Sequence, residues 1–327
     1  MRGVLPGICS LVLCSTSLAE QSVPLVLEAK IPLDDVRGRI DHLAIDVIHE
    51  RLFVAALGNN TVEVVDLAAL KVTRTLAGLH EPQGVAYSPR AQTLYVANGG
   101  DGSLRAFRGL ELTPAGGIAL GEDADNVRID EDQQQIYVGY GSGALAVIEQ
   151  STYKKVAAIP LTAHPESFQL EKSGPRIFAN VPDAGEIAIV DRRTNKQTGS
   201  WPTKDLRANF PLALDERNKR VLTVFRRPAT IALFNLESGA DMGRIDTCGD
   251  ADDIFVDDKR GYVYVSCGEG FIDVLADRKN SVTRVARLKT VAGARTALFS
   301  PELGRLFLAA RAAAGEQAAI WVFHASE

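Results

Sequence analysis

Carboxylates recur at Asp41, Asp125, Glu166 and Asp252, and each is followed at once by a second polar side chain: His42, Asn126, Ser167 and Asp253. Gathered in one place, such groups repel one another wherever water is scarce. They then need a cation, an arginine or a ligand rich in hydrogen-bond donors. Arg295, Arg128 and Arg39 could supply part of that compensation. The oxygen-rich set Asp125, Asn126, Glu166, Asp252 and Asp253 has the donor chemistry of a Ca²⁺ site, although no EF-hand loop is present. Three histidines, His42, His80 and His164, give a weaker transition-metal alternative. All of this chemistry requires residues dozens of positions apart to meet.

A repeat provides for that meeting. Seven segments share a pattern of a large aliphatic, an aromatic or aliphatic, and a strand-like run ending in small residues. They begin at Leu52, Leu94, Ile136, Ile177, Val221, Val263 and Leu306, at intervals of 42, 42, 41, 44, 42 and 43 residues. A period near 40 in β-forming residues is the mark of a β-propeller with one blade per repeat. The expectation is therefore an all-β, seven-bladed propeller with four-stranded blades. Length alone would suggest two domains, but the unbroken period argues for one closed ring.

The first repeat shows the layout: an inner strand at Leu43–Ile45, then Leu52–Ala56, Thr61–Val65 and an outer strand at Val72–Leu76. Gly- and Asn-rich turns follow the second strands, as at Gly58-Asn59-Asn60, Gly99–Gly102 and Gly268–Gly270. The last repeat stops after its third strand. The segment Leu25–Ile31 is expected to supply the missing outer strand, closing the ring and removing two free sheet edges.

Within this pattern, Tyr95-Val96-Ala97-Asn98 resembles the Tyr-Val-Thr-Asn motif of the YVTN-repeat β-propellers, and the Phe-Val-Ala and Tyr-Val-Ser versions look like degenerate copies. The stretch Arg39-Ile40-Asp41-His42-Leu43-Ala44-Ile45-Asp46 also resembles the opening of secreted bacterial members. The resemblance covers nearly the whole chain after the N-terminal stretch. It implies a seven-bladed propeller exported from the cytoplasm, in a family without a single shared activity.

The repeat also serves as a ruler. Eleven positions before each second strand lie Asp41, Gln83, Asp125, Glu166, Phe210, Asp252 and Arg295. Propeller geometry sets these positions around one axis at one mouth of the channel. Asn209 stands one step before Phe210, so the fifth blade is expected to shift its polar group by one residue. The expected ligand-binding set is Asp41, His42, Gln83, Asp125, Asn126, Glu166, Asn209, Asp252, Asp253 and Arg295. The competing reading is that such acids tie one blade to the next through backbone amides.

The N-terminus reads as a secretory signal over residues 1–19: Arg2, then a largely apolar run from Val4 to Leu13, then Ser17-Leu18-Ala19 before Glu20. The run is too short to span a bilayer. Residues 20–327 would form the single propeller, periplasmic or secreted. Cys9 and Cys14 would leave with the signal. Cys248 and Cys267 remain as candidate disulfide partners, with two buried thiols the equal alternative.

Other function classes find little support. The formal net charge is −5 and no basic face is visible, which argues against nucleic acid. No basic amphipathic helix marks a membrane surface. There is no GxSxG elbow, no GxGxxG opening a helix and no Walker loop. The leading expectation is an exported, non-catalytic propeller. It would hold a small polar or cationic ligand, a peptide or a cell-envelope partner at its acidic mouth. The alternative is a lactonase-like, metal-dependent hydrolase at the same place. There Asp125, Asn126, Glu166 and Asp252 would surround a cation, and His42 or His164 would carry protons.

Overall fold

The computed structural model describes residue 3 and residues 24–278, 281–313 and 315–326. The N-terminal signal expectation lies outside these residues. Among the described residues, twenty-eight strands form seven antiparallel four-stranded sheets, six of them ordered as simple meanders. In blade 1 the strands are Leu43–Asp46, Arg51–Ala56, Thr61–Asp66 and Lys71–Leu76. Every strand of the expected layout is present, longer at its ends by one residue or so.

Blade 7 is closed as expected. Leu25–Pro32 pairs antiparallel with Ala319–Ala325, from Leu25 opposite Ala325 to Pro32 opposite Ala319. Leu25 and Ile31 are buried by this pairing, while the residues between them mostly face out. The sheet runs Leu25–Pro32, Ala319–Ala325, Arg305–Ala310, Ala297–Ser300, so the chain's first strand completes its last blade.

The hydrophobic core is divided among the seven junctions between blades. One cluster joins Leu52, Val54 and Val65 of blade 1 to Phe307, Ile320 and Ile31 of blade 7. Another joins Tyr95 and Leu104 of blade 2 to Ile136 and Val138 of blade 3. Each blade has a neighbour on both faces, so its middle strands are apolar on both. Tyr95, Tyr137 and Tyr264 are wholly buried packing residues. Outer strands alternate partly buried with exposed residues, as in Lys196–Pro202 and Ser281–Lys289.

The inner strands line an axial cavity of about 600 Å³. Their first residues form one mouth, here the collar. Their last residues and the turns that follow form the other, here the floor. Blades 2 and 3 approach very closely at the collar: a Cβ on Gly84 would lie 2.0 Å from the Asp125 carbonyl oxygen. Glycine is required there by the backbone contact.

Candidate functional site

The collar is built at the starts of the inner strands, where the backbone enters each blade under interblade constraint. The His42 amide donates to the Gln83 carbonyl at 3.3 Å, linking blades 1 and 2. The Asp125 and Glu166 amides donate to Gly139 and Asn180 carbonyls within their own blades, at 2.9 Å each. Backbone pairing thus holds these residues in place and leaves their side chains to the axis.

Asp41 is ion-paired on both oxygens, although its Oδ2 has no hydrogen bond among the described residues. One oxygen accepts from His42 Nδ1 at 2.7 Å, and the other lies 2.6 Å from the Arg39 guanidinium. Burial opposes its charge, but these two bases hold Asp41 below the ordinary carboxylate range. His42 mirrors it. Burial alone would lower the imidazole, yet the Asp41 bond and the charges of Asp125 and Asp253 raise it to about 10. His42 is therefore a cation at neutral pH.

Three other acids are pushed the opposite way. Asp125 is only 8% exposed, and its Oδ1 has no hydrogen-bond partner among the described residues. Burial, with Asp41 and Glu166 adding to it, raises Asp125 to about 7 against the pull of His42 and His164. Glu166 reaches about 7 through burial and the Asp252 charge, opposed by Arg226 and His42. Asp253 reaches about 7 mainly through burial, although its Oδ2 accepts from the Ala297 amide at 2.8 Å and Arg128 attracts it.

The sixth and seventh blades carry a different arrangement. Arg295 bridges Asp250 at 2.9 Å and Asp252 at 3.1 Å. Arg226 also bonds Asp252, donates to the Ala251 carbonyl at 2.9 Å, and lies over the Phe210 ring, 3.8 Å from its centroid. Phe210, the apolar member of the ring positions, thus serves as a platform for an arginine. The repeat ruler missed Arg226, which stands at the end of Arg220–Arg227, a second strand longer than that of any other blade. The signal was there: the fifth repeat has Arg226-Arg227-Pro228 where its neighbours carry glycine turns.

The remaining expected residues divide. Gln83 donates through Nε2 to Asp123 at 3.1 Å on the partly exposed rim. Asn126 is buried, with its Oδ1 unpartnered among the described residues. Asn209 is fully buried, and its amide nitrogen donates to Asn180 Oδ1 and the Glu186 carbonyl, both at 3.0 Å. It ties blade 5 to blade 4, so the shift expected in the fifth blade brings Arg226, not Asn209, toward the acids. His164 Nδ1 donates to the Gly141 carbonyl at 2.6 Å. Among the described residues no three His, Cys, Asp or Glu side chains converge on one metal position. Cys248 and Cys267 are bonded to each other, clamping the approach to Ala251–Asp257 onto the end of the next strand.

No protein-family model matches the chain, and no curated protein matches it. Solved structures do. The chain is similar to a chain of hydrazine synthase from Kuenenia stuttgartiensis, with 16% identity over 84% of this chain and 94% of that one, at a TM-score of 0.74. It is also similar to a chain in a crystal structure of the mitotic checkpoint complex, with 13% identity over 100% and 99% of the two chains, at a TM-score of 0.79. At these identities the likeness shows the fold: a seven-bladed β-propeller, on which unrelated functions are carried.

Proposed function

We propose that this protein is an exported, YVTN-type binding propeller whose collar takes a small cationic or multiply donating ligand. One observation carries the reading: Asp125 Oδ1 is a buried carboxylate oxygen without a hydrogen bond, and the Glu166 carboxylate beside it has neither a hydrogen bond nor an ion pair among the described residues. A buried acceptor left unmade costs about 1–3 kcal/mol, more when charged. A ligand that donates hydrogen bonds or carries positive charge recovers that cost. An ammonium or guanidinium group fits, as does a divalent cation such as Ca²⁺, which prefers oxygen ligands. Export is supported by the apolar stretch Val4 to Leu13 with its small-residue cleavage pattern, and by the Cys248–Cys267 bond.

The test is thermal unfolding after EDTA treatment, with Ca²⁺, Mn²⁺, Zn²⁺, propylammonium or guanidinium added in turn. A ligand of the folded form at hundredfold excess over its Kd stabilises by about 3 kcal/mol. The expected result is a rise in Tm with at least one of these cations, lost in the double variant D125N/E166Q. A wild-type protein indifferent to all of them would overturn the reading.

A further inference from the structure

Three residues below the collar, the inner strands present Ala44, Ala86, Arg128, Gln169, Ala213, Phe255 and Leu298 to the axial cavity. Arg128 is the only charged member of this layer. Other arginines set into the body of the ring have carboxylate partners: Arg220 with Asp215 and Asp277, Arg176 with Glu171, Arg192 with Asp130, Arg260 with Asp257. Arg128 makes no ion pair among the described residues. Its Nη1 donates to its own strand's Val127 carbonyl at 2.8 Å, and its Nε reaches Gln169 Oε1 at 3.4 Å. The guanidinium carbon lies 5.5 Å from the Phe168 ring centroid. Nη2 has no hydrogen-bond partner among the described residues. Arg128 is partly exposed to the cavity, so this free edge is open to an anionic ligand.

The space around it is equally informative. Three of the seven residues in the layer are alanines, which leave open the side of the cavity that larger side chains would fill. A planar guanidinium edge matches a carboxylate. Asp125 and Asp253 lie close enough to attract Arg128, and they would repel a dianion such as phosphate more than a monoanion. The geometry points to a carboxylate subsite at Arg128, directly below the cation-binding collar, so that the ligand class is a small zwitterion with its cationic group at the collar and its carboxylate in the channel. The zwitterion part rests on the reading of the collar given above. The carboxylate part stands without it.

Calorimetric titration with γ-aminobutyrate, propylammonium and butyrate separates the two parts. Wild-type protein is expected to bind γ-aminobutyrate more tightly than either singly charged probe. In R128Q the affinity for γ-aminobutyrate should fall about tenfold or more, as loss of a charge-assisted bond implies, with propylammonium unweakened. R128K, which keeps the charge and guards against misfolding of R128Q, should bind with intermediate strength. Butyrate binding that depends on Arg128, with no binding of propylammonium, would retain the carboxylate subsite and remove the collar reading. Equal binding of γ-aminobutyrate and propylammonium, or an unchanged ratio between them in both variants, would overturn the subsite.

Discussion

Every inner strand runs from collar to floor, and in blades 1, 3, 4 and 6 acids stand at both ends. At the floor each of the five acids that end an inner strand has a dedicated partner. Asp46 bonds Arg51 and His49, Asp130 bonds Arg192, Glu171 bonds Arg176, and Asp215 bonds Arg220. Asp257 accepts from Arg260 at 3.2 Å and from the Tyr264 hydroxyl at 3.0 Å. At the collar only Asp41 and Asp252 are matched in this way, while Asp125 and Glu166 are left without a side-chain partner and Asp253 has one backbone amide. The same residue type, set by the same repeat, therefore does opposite work at the two mouths. Floor acids fasten a strand to the turn beyond it. Collar acids hold free acceptor capacity, and free capacity near an axis is what a ligand can use.

The contrast can be broken most forcefully at the floor. Asp215 is fully buried and Asp277 nearly so, and Arg220 lies between them, 2.5 Å from Asp277. Arg220→Ala leaves two buried carboxylates uncompensated, with an expected loss of about 3–5 kcal/mol, read as a drop in Tm on the order of 10 °C. A loss under 1 kcal/mol would mean that the floor acids are no better matched than the collar's.

Next in size is the clamp behind the collar. Replacing both Cys248 and Cys267 by serine opens a loop of 19 residues' separation and should cost roughly 3 kcal/mol in urea unfolding. Because the clamp precedes Asp252 and Asp253, the variant should also lose affinity for whichever cation the wild type binds. Lost stability with unchanged binding would show that the clamp does not position the collar.

A smaller effect has the opposite sign. Asp125, Asp253 and Glu166 are raised to about 7. Between about pH 4 and pH 7 the unfolded chain has released protons that the folded chain still holds, so stability falls as pH rises through that window. Glu166→Gln should flatten part of the fall and raise stability at pH 8, by on the order of 1–2 kcal/mol after allowance for coupling and solvent access. Unfolding curves at pH 5 and pH 8 check this, and a destabilised E166Q at pH 8 would place Glu166 with the floor acids. His42 adds to the fall above about pH 6.5, where the unfolded imidazole has released a proton that the folded one, raised to about 10, still holds.

Much of this was legible in the chain. The interval near 42 residues gave the blade count, the strand layout and the closing strand Leu25–Pro32, since each depends on local pattern and turn chemistry. Counting eleven positions back from each second strand also gathered Asp41, Asp125, Glu166 and Asp252 correctly at one mouth. The ruler could not say which acids were matched. Asp46 and Arg51, or Asp215 and Arg220, lie five residues apart and pair within one hairpin. Arg226 reaches Asp252 from the adjacent blade, and Asn209 turns to blade 4, through contacts between blades that no repeat position records. Arg128 was visible as a nearby base, but its isolation became evident only against the alanines of its own layer.

The central claim is that Asp125, Glu166 and Asp253 are unmatched at the collar while the acids that end the inner strands at the floor are matched, and the titration of individual carboxyl carbons by NMR measures it directly. With resonances assigned through single Asp→Asn and Glu→Gln variants, Asp125, Asp253 and Glu166 should pass their midpoints near pH 7. Asp46, held by Arg51 and His49 against the effect of burial, should titrate below the ordinary carboxylate range. Collar acids that titrate with Asp46, or at the values of free side chains, would contradict the account.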